Sequence, residues 1–468
     1  MTTWWAAQAW VDAAWQRGVL LEAGTDGLWR SVQPGAAEPP AHAAVLSGPA
    51  LPGLVNAHSH AFQRAFAGLA ERHETLSPGD DDFWSWRDRM YQVALRITPR
   101  QLRAVAAQLY TELLRGGYTQ VCEFHYLQHA PDGSRYDDPL ELSWMLADAA
   151  AQAGIGLTVL PVLYQRAGFA RPALRDDQRR FAATPQFVWD ACEALQRSGR
   201  PLLNAGLAIH SLRAASADDI AALLQMAHGM AGPIHLHIAE QTAEVQDCLA
   251  ATGARPIDWL CRTLAPDARW QLVHATHALP QEIEAVARCG AGVVLCPGTE
   301  ANLGDGHADL PRWLAAGVPL AIGSDSQVTR AWPEELRWLE YGQRLLHQRR
   351  NMAAAPAHGM SSTAERLFSC ILAGGAAAAG HARWGLQPGA RADMLVLDPQ
   401  EDALLGIPAQ RLLDALVFSS PGTAIQEVYV AGQCVVRHGQ HVAQPAISRA
   451  FEQAMHELWD DDATLPDT

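Results

Sequence analysis

Short apolar and β-branched runs alternate with stretches of helical period through most of the chain. The runs lie at 53–60, 118–124, 156–163, 203–210, 233–239, 270–276, 291–296 and 318–324, each of strand length. Between them, 100–115, 139–153, 216–230, 280–289 and 334–350 carry apolar residues at helical spacing. The helix near residue 99 has a clear start signal, with Thr98 as N-cap, Pro99 at the first position and Gln101 at the third. Eight strands alternating with helices predict a (β/α)8 barrel, with a doubly wound open sheet as the structural rival.

The pattern differs at both ends. Residues 1–50 mix short apolar runs with Pro and Gly and read as irregular strands and turns. After a helical stretch at 361–380, segments 385–399 and 425–436 read as strands joined by Gly/Pro turns. The expected organisation is a small β-sandwich domain built from 1–50 and 385–445, a catalytic barrel over 51–384, and a C-terminal helix and acidic tail over 446–468.

Composition narrows the function classes. A net charge of −15 argues against a nucleic-acid partner, which would need a basic face. No apolar run approaches the ~18 residues of a membrane span, and the opening residues show no basic region ahead of an apolar one. The 8 cysteines are scattered without a CxxC, which fits reduced thiols and a cytoplasmic location. All 35 basic residues are arginine. A chain without lysine has no Schiff-base nucleophile, no phosphate-loop lysine and no carbamylated lysine to bridge two metals.

A barrel gathers its chemistry at the C-terminal ends of its strands. There the sequence places His58 and His60 after the first strand, His235, His237 and Glu240 in "HLHIAE", His274 and His277 in "HATH", and Asp325 in "GSDS". Residues two apart on a strand face the same way, so His58 and His60 converge. Three imidazoles, one carboxylate and a neighbouring Glu are the donor set of a mononuclear metal site with room for a water. His235 shares the strand face of His237 and competes with it for the ligand role; His237 is preferred because it stands at HxxE spacing to Glu240.

In their order and separation, "PGLVNAHSH", "HIAE", "HATH" and "GSDS" resemble the amidohydrolase superfamily. Within it, "HAFQRAFAGLAER", "FWSWRDRMY", "EFHYLQH", "HSLRA" and "CPGTEANLGDG" are similar to the branch that hydrolyses N-formimidoyl-L-glutamate to N-formyl-L-glutamate and ammonia in histidine degradation. The resemblance implies that His58, His60, His237 and Asp325 hold one Zn2+, with Fe2+ or Mn2+ as other candidates, and that Glu240, His274 and Asp325 move protons beside it. It also implies a cytoplasmic homodimer. Without lysine, a mononuclear deaminase-type centre is expected rather than a carbamate-bridged pair of metals.

A dicarboxylate substrate calls for arginines, which bind carboxylates bidentately and stay charged. Arg213, just past the fourth strand, and Arg87, in the insert after the first, are the candidates, with Arg64, Arg72 and Arg89 competing with Arg87. Gln63, Tyr126 and His210 complete the expected substrate contacts. The rival readings are a deaminase of guanine-like or cytosine-like rings, a hydrolase releasing formamide and glutamate, and a non-catalytic barrel scaffold.

Overall fold

The computed structural model describes residues 1–72, 82–422 and 424–459; the end of the expected acidic tail lies outside the described residues. Eight parallel strands form the barrel: β1 (Leu54–Ser59), β2 (Tyr118–His125), β3 (Gly156–Leu163), β4 (Leu207–Ser211), β5 (Ile234–Ile238), β6 (Trp270–His274), β7 (Gly292–Leu295) and β8 (Leu320–Ile322). They pair in sequence order, and helices connect them. β2 and β3 are buried at every residue, as strands must be when side chains fill the barrel on one face and helices cover the other. The helix Pro99–Arg115 begins as expected, with Thr98 and Gln101 exchanging cap hydrogen bonds.

The expected fourth strand is interrupted at Gly206. A short strand, Leu203–Ala205, leads into β4, and both halves pair with β3. A Cβ at Gly206 would lie 2.5 Å from the Pro233 carbonyl oxygen, so only glycine lets the chain pass this close to the start of β5.

The barrel closes between β8 and β1 through one bridge, Ser59 with Asp325. The Asp325 N–H donates to the His58 carbonyl (3.0 Å), and the His60 N–H donates to the Asp325 carbonyl (3.3 Å). The seam of the barrel is therefore made by the residues expected to do its chemistry.

Strands from both termini form a separate nine-stranded sheet around its own core, which includes Trp4, Leu21, Trp29 and Met394. The expected sandwich takes the form of one hydrogen-bonded sheet. Residues 1–50 are more regular than the sequence suggests: Thr2–Val11 and Ala14–Ala23 are ten-residue strands paired antiparallel through a two-residue turn. A C-terminal helix spans Gln444–Trp459.

Candidate metal and active site

His58 and His60 leave the end of β1 with their rings 4.7 Å apart and edge to face. His237 arrives from β5 and brings its Nε2 within 3.0 Å of the His58 Nε2. Asp325, just beyond β8, places Oδ1 3.4 Å from the Nε2 atoms of both His58 and His60. Four donors from three strands thus converge at one point, and all four side chains are buried.

Hydrogen bonds from the neighbouring strands fix which nitrogen faces inward. His60 Nδ1 pairs with the Phe124 carbonyl (3.0 Å) and His237 Nδ1 with the His210 carbonyl (2.9 Å). A carbonyl accepts only, so in both rings Nδ1 carries the proton and the Nε2 lone pair points at the cluster. Burial pushes the His58 imidazole down to about 3, and the His60 and His237 imidazoles are likewise lowered by burial. Burial opposes ionisation of Asp325, but hydrogen bonding with His58 and the flanking imidazoles outweigh it and hold the carboxyl below its usual range.

Neutral imidazoles around an ionised carboxylate form a cation site, and the Nε2 atoms of His58 and His237 face each other across it at 3.0 Å. Two triads that share His58 bring their donor atoms close enough to hold a metal ion: His58 with His60 and Asp325, and His58 with His237 and His274. His274 and Cys296 also lie close enough to contribute donors alongside Asp325. His235 points elsewhere: its Nε2 bonds the Ala378 carbonyl (2.8 Å) at the end of the helix Thr363–Ala378. His277 is half-buried, with its N–H on the Ala239 carbonyl (3.0 Å).

Glu240 and His274 stand beside the cluster, with Oε1 and Nε2 3.5 Å apart; the same Nε2 is 3.8 Å from Asp325 Oδ2. Burial raises the Glu240 carboxyl to about 7. Burial would lower His274, but the carboxylates of Glu240, Glu300 and Asp325 raise it to about 10. The backbones of His274 and Asp325 are left-handed, at φ +70° and +47°. Left-handed backbone is uncommon outside glycine, though Asp and His adopt it more readily than most residues.

The cluster opens into a cavity lined by Gln63, Arg87, Tyr126, His210 and Arg213, all expected, and by Trp86, Met90, Tyr91, Tyr164 and Glu244, which sequence reasoning missed. Gln63 Nε2 donates to the Tyr126 hydroxyl (3.2 Å). The guanidiniums of Arg87 and Arg213 lie 4.6 and 5.4 Å from the ring centre of Trp84. Among the described residues Arg213 has no ion-pair partner, and Arg87 has only a 3.4 Å approach to the largely exposed Asp88. The competing arginines are placed differently. Arg64 is bound bidentately to Glu112 (2.7 and 2.9 Å), Arg89 donates to the Ala70 carbonyl (2.9 Å), and Arg72 is exposed.

Three carboxylates missed in the sequence support this site. Glu244 accepts from the Ala239 and Glu240 N–H groups (3.2 and 3.1 Å), Glu300 Oε1 lies 3.5 Å from His274 Nδ1, and Glu123 accepts from the Ser59 hydroxyl (2.9 Å).

A metal-binding barrel with a second sheet made from both termini is the architecture of the amidohydrolases. Residues 50–435 match the amidohydrolase family, and the chain belongs to it. It is 45% identical over 464 residues to the formimidoylglutamate deiminase of Pseudomonas aeruginosa, an alignment covering 98% of this chain and 100% of that protein. The crystal structure of an amidohydrolase from Brucella melitensis has a TM-score of 0.92 at 39% identity, covering 98% of this chain and 100% of that one. An adenosine deaminase from Xanthomonas campestris, solved with bound zinc, shares the fold at a TM-score of 0.79 and 21% identity, with 98% of each chain covered.

Proposed function

We propose that this protein is a metal-dependent deiminase that hydrolyses N-formimidoyl-L-glutamate to N-formyl-L-glutamate and ammonia, a step of histidine degradation. The observation that carries the reading is the full-length likeness, at 45% identity, to a formimidoylglutamate deiminase. The cavity agrees with it: Arg87 and Arg213 face the same space as the His/Asp cluster and neither makes a contact ion pair with a buried carboxylate, although Glu244 and Glu240 feel the charge of Arg213.

In this reading His58, His60, His237 and Asp325 would hold one Zn2+. The bound ion would bring the pKa of a coordinated water from ~15.7 toward 7 and so supply the nucleophile. Asp325, ionised and part of the cluster, would accept the proton lost by the attacking water, and that proton would replace the one Glu240 gives up. His274, whose basicity the carboxylates of Glu240, Glu300 and Asp325 raise, would donate a hydrogen bond to the oxygen added to the formimidoyl carbon. Glu240, near 7, delivers a proton to the nitrogen that leaves as ammonia. Arg213 and Arg87 grip the two carboxylates, while Gln63, Tyr126 and His210 hold the formimidoyl end and the chain. A cytoplasmic homodimer belongs to the same reading: eight free cysteines support the reducing compartment, and the resemblance alone supports the dimer.

Arg213→Met tests the substrate assignment. The loss of a buried charge-assisted pair costs roughly 2–5 kcal/mol, so KM for N-formimidoyl-L-glutamate should rise by about 30-fold or more with metal content unchanged. An unaltered KM would remove Arg213 from the substrate site. Turnover of an aminopurine or aminopyrimidine at a rate matching that of the dicarboxylate would favour a ring deaminase instead.

A further inference from the structure

Gln327 lies two residues past Asp325 and is fully buried. Its Nε2 donates to the Asp325 carbonyl (2.6 Å) and the Ser59 hydroxyl (3.1 Å), and its Oε1 accepts from the Ser324 hydroxyl (2.7 Å). Asn56, within β1, extends the chain of bonds. Its Nδ2 donates to the Ser324 hydroxyl (2.7 Å), and its Oδ1 accepts the Ser324 N–H (2.9 Å). In the other direction the Ser59 hydroxyl donates to Glu123 Oε2 (2.9 Å), and Glu123 Oε1 accepts the Ala61 N–H (2.5 Å).

This polar chain runs where the barrel has its least backbone pairing. β8 meets β1 through a single bridge, and the strands press so close that a Cβ on Gly323 would lie 2.6 Å from His58 Cβ. Asp325 and Gln327 both adopt left-handed backbone, at φ +47° and +68°. A buried, fully satisfied side-chain network can hold such a conformation, whereas a half-satisfied one cannot.

We propose that Gln327 is a positioning residue, clamping the first and last strands so that His58, His60 and Asp325 present their donors in place before a cation arrives. The inference rests on reading those three residues as metal ligands. It gives the donors from opposite sides of the seam one common buried brace.

Gln327→Met keeps the side chain's length and removes both polar ends. Zinc affinity of the metal-stripped protein, measured by competition with a chelator, should fall by about 10- to 100-fold, the usual cost of losing an outer-shell partner. In the metal-loaded variant kcat should fall while KM stays within about twofold, because no substrate contact is lost. Zinc affinity equal to the parent's would overturn the proposal. Should Gln327→Met not fold, Ser59→Ala interrupts the link from Gln327 to Glu123 and should also weaken zinc binding; unaltered affinity there overturns the proposal equally. A parent protein that binds no zinc, or His58→Ala binding it undiminished, would instead defeat the ligand reading itself.

Discussion

Glu240→Gln should bind metal and substrate as the parent does and yet lose about 10²- to 10⁴-fold in kcat, the contribution of a positioned general acid. The substitution preserves shape, and the Glu240 N–H can still donate to Glu244 (3.1 Å), so the left-handed turn at Ala239 is undisturbed. What disappears is a buried carboxyl near 7 that can deliver a proton to the departing nitrogen. Glutamine cannot exchange a proton in this way. Steady-state kinetics with metal analysis on the same preparation decide the matter. A near-normal kcat would take Glu240 out of the proton path, and a loss of metal would make it a ligand.

The second large effect is expected at His58. Its Nε2 approaches both His237 Nε2 (3.0 Å) and Asp325 Oδ1 (3.4 Å), so this ring is the donor shared between the two sides of the cluster. Removing it in His58→Ala leaves a buried hole in the barrel wall and a site with two imidazoles and a carboxylate. Metal affinity should drop by more than the ~10²-fold that marks loss of an outer-shell partner, and activity should fall with it. Metal content after dialysis against a chelator is the readout. Retention of a full equivalent would mean that the ion sits elsewhere.

Much of this molecule is legible from side-chain chemistry and period alone. β3 runs over the same residues as its apolar run, 156–163, because a strand buried on both faces writes itself as continuous apolar sequence. The helix at Pro99 is announced by its cap. His58, His60, His237 and Asp325 fall at strand ends, where spacing fixes direction, and they meet.

The N-terminal hairpin was not legible for a specific reason. Its turn is Asp12-Ala13, both with positive φ, where Asn-Gly or Asp-Gly would have marked it. The supporting groups Glu123, Glu244 and Gln327 were missed for another. Their partners are largely backbone groups or hydroxyls, which carry no sequence signature, and several lie far along the chain. Trp84 escaped for the same reason: its place between Arg87 and Arg213 follows from the packing of an insert against the loop after β4. The sequence favours Arg87 but leaves Arg64, Arg72 and Arg89 as competitors in the same insert, and tertiary contacts place Arg87 among the cavity-lining residues while Arg64 is held by Glu112.

The most direct measurement is of the products formed by the purified, metal-analysed protein from N-formimidoyl-L-glutamate, before and after removal of its metal. Ammonia and N-formyl-L-glutamate should appear in equal amounts, stop when the ion is stripped, and resume when one equivalent of zinc per chain is restored. Formamide with glutamate, or ammonia released at an unchanged rate by the stripped protein, would contradict the account.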